Sequence, residues 1–479
     1  MRVLYVSTEV YPFVKTGGLA DVNAALPPAL INLNLDVRLL LPGLPGFMNA
    51  ITRRKRLVEL GNVFGPGEVT IWRALLNETP AYLIEAPALY EREGNPYITD
   101  DGRDWPDNPR RFALLGQIAA RFADGMVENW RPDVVHSHDW HAALAPAYLA
   151  ARGGDRPASV FTVHNLSFQG QFPGEVFPAL KLPPHFFALH GVEFHGMVNF
   201  MKAGLHYADR ITTVSPSYAK EIQTPEYGCG MEGMLLSRAG ALSGILNGID
   251  RTIWNPRHDP HLAAHYDMTE MTGKAECKRA LCAELGLNCK PSELLFGVVS
   301  RLTDQKGLDL LLAVLPDLIR RGGRLVVMGS GDPVLEKKFA AAAAHYPHKV
   351  AVRIGYDEAL AHRIIAGIDV IVVPSRFEPC GLTQMYGLAY GALPLVRRVG
   401  GLADTVRDVD AGSIATGFIF EAAEATALAA ACARIFALWR KPAQWARLRE
   451  TAMQEDFSWT ASARHYAGLY RELRPQAMN

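Results

Sequence analysis

Twelve short runs of apolar, mostly β-branched residues, separated by helix-length stretches, constrain this chain more than any other feature of it. The first half carries runs at 3–7, 37–41, 81–85, 134–137, 159–163 and 210–214. The second carries runs at 294–300, 324–328, 350–354, 370–373, 394–397 and 417–420. Strands that are apolar throughout are covered on both faces, and such strands belong to parallel sheets whose crossovers are helices. Two series of this kind predict an α/β chain of two Rossmann-like domains with a cleft between them. The seam is expected at Asn247-Gly248-Ile249-Asp250, followed by Trp254-Asn255-Pro256, because Gly, Asp and Pro in quick succession stop helix and strand alike. Stretches 90–110 and 224–234, rich in Pro, Gly, Asp and Asn, are expected to be long loops on the first domain.

Length and charge fit this organisation. At roughly 100–200 residues per domain, 479 residues allow two or three full cores. Lys plus Arg equals Asp plus Glu at 49 each, so no bulk field favours nucleic acid or an acidic membrane. Arg53-Arg54-Lys55-Arg56 is expected to be a solvated helix or loop face. The six cysteines form no C-x-x-C pair, which suits free thiols in a reducing compartment. The apolar start of the chain is too short for a signal segment and is interrupted by Glu9, so the expected location is the cytoplasm.

Chemistry-bearing residues gather just after the predicted strands. The run at 370–373 feeds into Pro374-Ser375-Arg376-Phe377-Glu378-Pro379-Cys380-Gly381-Leu382-Thr383-Gln384. A helix starting there offers N–H groups at Gly381, Leu382 and Thr383 to a phosphate, and Glu378 suits sugar hydroxyls. An acidic turn capping a helix reads the same residues equally well. Lys15-Thr16-Gly17-Gly18 follows the first strand, where two glycines admit a pyrophosphate and Lys15 adds charge. It matches neither a Walker A loop nor G-x-G-x-x-G, and a plain tight turn also explains it. Arg301 and Lys306 follow the first strand of the second half, where two cations can neutralise a leaving diphosphate; solvated surface charges are the alternative.

Two histidine-bearing loops complete the set. His136-Ser137-His138-Asp139-Trp140-His141 can ligate zinc, face a carbohydrate through its Asp-Trp pair, or supply buried structural histidines. His136 and His138 share a face only if the strand extends that far. His164-Asn165 follows another strand, and a histidine there can face the reacting group or be a satisfied core residue.

Taken together, Lys-Thr-Gly-Gly-Leu-Ala-Asp-Val at 15–22, Asp-Trp-Pro-Asp-Asn at 104–108, His-Asp-Trp-His at 138–141, His-Asn at 164–165, Asn-Gly-Ile-Asp at 247–250, Arg301 with Lys306-Gly307, and the 374–384 segment resemble the bacterial glycogen synthases of the ADP-glucose type, and plant starch synthases more distantly. The resemblance runs in order along nearly the whole chain. It implies a retaining GT-B glycosyltransferase whose two parallel-sheet domains face each other across a deep cleft. The implied reaction moves glucose from ADP-glucose to the non-reducing end of an α-1,4-glucan such as glycogen, releasing ADP, with no metal ion and no cofactor. The division it implies is an acceptor-side domain at 1–245, a donor-side domain at 246–456, and a helix at 457–479 returning to the first domain.

Carried over residue by residue, Lys15, Gly18, Arg301, Lys306, Gly381, Leu382 and Thr383 would hold the donor diphosphate. Glu378 and His164 would touch the glucosyl group, with Asn247 near it. Asp139, Trp140, Asn165 and Tyr97 would face the acceptor. The catalytic set is His164, Glu378, Arg301, Lys306 and Lys15. In the wider retaining superfamily a second Glu stands eight residues after the first; here that position is Tyr386, so its ribose contact does not carry over. Met231 stands where the family usually has Leu. ADP in preference to UDP follows from the resemblance alone, and the sequence leaves oligomeric state open. A two-lobed sugar-binding protein and a nicotinamide oxidoreductase are the rival classes. The second rests on a lone G-x-G at Gly329-Ser330-Gly331, and neither gives Lys15, Arg301, Lys306 and Glu378 a joint role.

Overall fold

The computed structural model describes residues 1–65 and 67–478, which form two compact units. One comprises Met1–Gly248 with Trp459–Asn479, the other Ile249–Ser458. No helix among the described residues is long and apolar enough to cross a membrane.

The second unit is built on six parallel strands in the order Val350–Ile354, Arg324–Gly329, Leu295–Val299, Val370–Val373, Leu393–Arg397, Phe418–Phe420. Numbered along the chain this is 3-2-1-4-5-6, the doubly wound order. Its central strand is all valine and isoleucine and buried at every position, as a strand covered on both faces must be. The Leu308–Arg320 helix lays Leu311, Val314, Leu315 and Leu318 against this sheet in one stripe. The order reverses between Leu295–Val299 and Val370–Val373, so the crevice at their carboxyl ends is where such a sheet takes its ligand.

In the first unit seven strands are parallel, in the order Leu242–Gly244, Arg210–Thr213, Ala158–Val163, Val134–His138, Arg2–Val6, Asp36–Pro42, Thr79–Glu85. Its switch point lies between Arg2–Val6 and Val134–His138. Thr70–Leu76 and Lys55–Glu59 extend this sheet antiparallel. The basic cluster was expected on a helix or loop; instead Lys55 and Arg56 open this edge strand, both exposed. Charged residues on an edge strand discourage pairing with another chain. A separate antiparallel sheet joins Gln171–Pro173, Met197–Asn199 and Glu193–Phe194.

The Trp459–Leu473 helix packs on the first unit, beside the Gly18–Ile31 helix. Trp459, Ala463, Tyr466 and Tyr470 are buried. Tyr470 meets His136 at 2.7 Å, and Ser462 donates to the Leu246 carbonyl at 2.5 Å.

Candidate active site

At the switch point of the second unit, the loop after Val299 and the loop after Val373 are clasped together. Gly307 adopts φ +61, and a Cβ there would lie 2.2 Å from the Pro374 carbonyl oxygen, so only glycine lets the loops touch. The Arg376 N–H donates to the Gln305 carbonyl at 2.8 Å, and Gln305 donates to the Phe377 carbonyl at 3.2 Å. This clasp brings Lys306 Nζ to 2.6 Å from Glu378 Oε2, to which Ser375 also donates at 2.9 Å. Glu378 is 5% exposed, so its charge is held by partners rather than by water.

Five residues on, the Thr383–Ala389 helix starts without a side-chain cap, leaving its first N–H groups to solvent or ligand. Arg301 is exposed and has no side-chain partner among the described residues. Cation, carboxylate and helix start therefore share one sheet edge, which suits a diphosphate next to a hydroxylated group. Gly329 and Gly331 have a packing explanation, because Cβ atoms there would lie 1.8 Å from the Ser300 oxygen and 2.5 Å from the Leu302 oxygen. The lone G-x-G is thus spent on admitting the Arg301 loop.

Tyr386 stacks on Trp254 with centroids 3.8 Å apart, and Trp254 stacks on His362 at 3.7 Å. His362 Nδ1 lies 2.6 Å from the buried Asp259, to which Tyr390 also donates. The position that carries Glu in the wider superfamily is here one layer of an aromatic stack.

In the first unit the site residues follow strand ends. Lys15 and Gly18 come after Arg2–Val6, Asp139 and Trp140 after Val134–His138, His164 and Asn165 after Ala158–Val163, and Asn247 after Leu242–Gly244. Lys15 is exposed, with its ammonium 2.8 Å from Asp21 and 4.9 Å from the Tyr11 ring centroid. The loop carrying it is held by Glu9, a residue the sequence reading passed over. Glu9 is 2% exposed and accepts from Thr16 N and Thr16 Oγ1, both at 2.6 Å, and from the Tyr97 hydroxyl at 2.6 Å.

The hydroxyl of Tyr97 is therefore committed to Glu9 and to Thr8, 2.7 Å away, and its ring stacks on His141 at 4.1 Å. Tyr97, which the resemblance turns toward the acceptor, thus also braces the Glu9 carboxylate. Trp140, the other aromatic residue that the resemblance turns toward the acceptor, is closely packed. Its ring is 7% exposed, enclosed by Phe112, Tyr97, His141 and Phe172, with Gly170 pressed on its face. Such packing fixes the orientation of the ring. The Asp104–Asn108 motif supports the same corner: Arg92 pairs with Asp107 at 2.8 Å, and Asn108 donates to the Tyr97 carbonyl at 2.8 Å.

The histidines are mostly interior. The strand does extend to His138, so His136 and His138 share a face, their rings 4.0 Å apart. His136 has both ring nitrogens engaged, with Tyr470 at 2.7 Å and Thr162 at 2.6 Å, and has none to offer a metal ion. Among the described residues no group of three or more His, Cys, Asp or Glu could hold one. Burial pushes His136, His138 and His141 well below the usual histidine range and brings His164 down to about 3, so all four are neutral at physiological pH. His164 Nε2 lies 3.0 Å from His138 Nδ1, one ring donating and the other accepting.

Asp139 sits at φ +56 between strand and helix, a conformation that turns its carboxyl to the His164 N–H at 2.7 Å. Burial raises it to about 7, against the lowering effect of the His164 and Asn165 N–H groups. Asn247 is 6% exposed and its Oδ1 has no partner among the described residues, a buried acceptor left for something else.

Residues 2–237 match the starch synthase catalytic domain family and residues 287–450 match glycosyl transferases group 1. A glycogen synthase of Francisella tularensis subsp. novicida is 53% identical over 99% of each chain. The chain belongs to the glycogen synthase family. A glycogen synthase of Francisella philomiragia is 52% identical over 99% of this chain and all of the relative. The catalytic domain of Arabidopsis thaliana starch synthase IV, solved bound to ADP and acarbose, superposes with a TM-score of 0.88 at 32% identity, covering 98% of this chain and 99% of that one. Like its relatives in the glycogen synthase family, the chain is a glycosyltransferase of GT-B architecture, which settles enzyme over sugar-binding protein and over oxidoreductase.

Proposed function

We propose that the enzyme transfers glucose from ADP-glucose to the non-reducing end of an α-1,4-glucan, with retention at the anomeric carbon. The observation that carries this reading is the Lys306–Glu378 pair beside an uncapped helix start at a switch point, within a family of glycogen synthases. Arg301, Lys306 and the N–H groups of Gly381, Leu382 and Thr383 are assigned to the donor diphosphate, where negative charge grows as ADP leaves. Lys15 and Gly18 are assigned to the same diphosphate by the resemblance. Glu378 and His164 are assigned to the glucosyl group, and Asp139 and Asn165 to the acceptor.

In this reading the bond between the anomeric carbon and the phosphate oxygen breaks as the acceptor hydroxyl attacks from the same face. The hydroxyl proton passes to the departing phosphate. Glu378 positions glucose and forms no bond to carbon, since it is tied to Lys306 and Ser375 on the phosphate side. Six free thiols support a reducing cytoplasm as the place of action.

Radiolabelled transfer onto glycogen, with ADP-glucose and UDP-glucose compared, tests the donor. Incorporation only from the uridine donor would overturn the nucleobase assignment. Mass spectrometry of enzyme quenched during turnover of a slow fluorinated donor tests the role of Glu378, which a glucosyl adduct on its side chain would disprove.

A further inference from the structure

The turn that presents Lys306 is held on both sides by one side chain of the facing loop. Arg376 lies two residues before Glu378. Its Nη1 and Nη2 donate to the two oxygens of Asp309, each at 2.8 Å, in the fork geometry that matches guanidinium to carboxylate. Nη1 also donates to the Asp304 carbonyl at 2.9 Å. Asp304 opens the 3₁₀ turn that ends at Lys306, and Asp309 lies in the first turn of the Leu308–Arg320 helix. The guanidinium therefore grips the chain before and after Lys306. Arg376 is itself anchored from its other side. Its carbonyl accepts from Arg397 Nη1 at 2.5 Å, and Arg397 Nε donates to the Glu421 carbonyl at 2.9 Å.

This pair does little for stability as such. The Arg376 and Asp309 side chains are 31% and 42% exposed, and ion pairs so open to water contribute little to folding. Arg376 holds the Asp309 carboxyl below the usual carboxylate range, so the pair stays ionised at neutral pH. The Arg376 charge is thus already met, and what the pair supplies is geometry.

We propose that Arg376 is a positioning residue for the transfer: through Asp309 and the Asp304 carbonyl it fixes the Lys306 turn against the Glu378 loop, so that the ammonium is in place as charge grows on the departing diphosphate. The proposal rests on the assignment of Lys306 to that diphosphate. A lysine at 376 keeps the charge but has no planar fork, and cannot meet both carboxylate oxygens and the carbonyl at once. A displacement of about 1 Å in a group that acts on the transition state costs roughly 10²-fold in rate.

Initial rates with ADP-glucose and glycogen are measured for the unmodified enzyme, Arg376→Lys, Asp309→Asn, Lys306→Gln and the double variant Arg376→Lys with Lys306→Gln. Arg376→Lys and Asp309→Asn should each lower kcat by about 10–100-fold. The donor KM should stay within about threefold, because the lost placement matters most where charge is greatest. Thermal midpoints should hardly move. A residue that acts only through Lys306 costs nothing more once that ammonium is gone, so the double variant should match Lys306→Gln alone. Losses that multiply in the double variant overturn the proposal, as does full kcat in either folded single variant. Asp309→Asn makes the loop more positive, so tighter ADP binding there with kcat undiminished would show that net charge matters and placement does not. Undiminished kcat in Lys306→Gln is a separate failure, which withdraws Lys306 from the reaction and this proposal with it. Arg376 and Asp309 stand on different elements, so either variant decides the question if the other does not fold.

Discussion

Lys306 and Glu378 stand 2.6 Å apart, each brought by the loop after one of the two strands that flank the switch point of the second sheet. Both side chains are largely covered, so neither charge is neutral to lose. Lys306→Ala strands a buried carboxylate with Ser375 alone, at a stability cost of about 3 kcal/mol. Lost leaving-group stabilisation should lower kcat by about 10²–10³-fold. A double variant, Lys306→Met with Glu378→Gln, removes both charges and should regain most of the stability but none of the activity. Urea midpoints and initial rates on the three proteins separate the effects; full kcat in Lys306→Ala would remove the residue from the chemistry.

Glu9 fixes the Lys15 loop through three contacts, counting a longer one from the Gly17 N–H at 3.4 Å, and accepts a fourth from the Tyr97 hydroxyl. All four partners donate to it, so a glutamine at this place presents an amide N–H where an acceptor is needed. Glu9→Gln should therefore impair the loop, and Glu9→Ala more so, since each buried donor left unpaired costs about 1–3 kcal/mol. The expected kinetic mark is a raised KM for the donor with the circular dichroism spectrum unchanged. A KM equal to that of the unmodified enzyme in both variants would mean that Lys15 does not depend on this anchor.

The buried titratable groups of the first unit give opposite pH dependences. Burial lowers His136, His138, His141 and His164 relative to the unfolded chain, so unfolding takes up protons below about 6.5. The stability these groups contribute is present above that pH and is lost as pH falls. Asp139 works the other way: raised to about 7, it contributes stability below its unfolded value, about 3.9, that is lost as pH rises through the folded one. Asp139→Asn keeps an oxygen for the His164 N–H and should be more stable than the unmodified protein at pH 8, the advantage shrinking toward pH 4. Urea midpoints across that range test the sign. An advantage that grows toward acid pH would contradict the burial argument.

What the sequence disclosed, and what it withheld, divides along physical lines. All twelve apolar runs are strands; the interior ones read as unbroken apolar runs because a parallel strand buried on both faces must, as Val370–Val373 does. Lys55–Glu59 escaped notice because an edge strand exposed to water needs no such pattern. Strand ends also located the loops that carry Arg301, Lys306, Glu378 and Asp139. The sequence could not say which side chains in those loops face outward. Trp140 is enclosed by Phe172 and Gly170, and Tyr97 is turned inward by Glu9, partners remote in sequence. Glu9 itself had a visible signal, a carboxylate amid a buried apolar run, which calls for partners.

Tyr386 shows how a changed residue type is absorbed. Its ring lies nearly parallel to Trp254, at an interplanar angle of 13°. Tyr386→Phe keeps that stack and should retain stability within about 0.5 kcal/mol. Tyr386→Glu replaces an aromatic layer with a carboxylate against an indole face, losing a stacking contact of about 0.5–1.5 kcal/mol as well as packing. Thermal unfolding of the two variants distinguishes a stacking role from a purely polar one. Equal losses in both would point to the hydroxyl.

Tyr470 ties the C-terminal helix to the strand that ends in Asp139. Its hydroxyl lies 2.7 Å from His136 Nδ1, and His136 Nε2 continues the chain to Thr162 at 2.6 Å and on to Thr212 at 2.5 Å. His136 is fully buried and neutral, so no water can replace a missing partner. Tyr470→Phe preserves the ring and deletes only the hydroxyl, leaving one imidazole nitrogen unsatisfied at a cost of about 1–3 kcal/mol. His138 and His164 keep their own hydrogen bond and do not depend on Tyr470. The expected result is a lower urea midpoint with kcat within about threefold of the unmodified enzyme, since no group assigned to substrate moves. A collapse of kcat at unchanged stability would show instead that the hydroxyl acts on the reacting groups through His136.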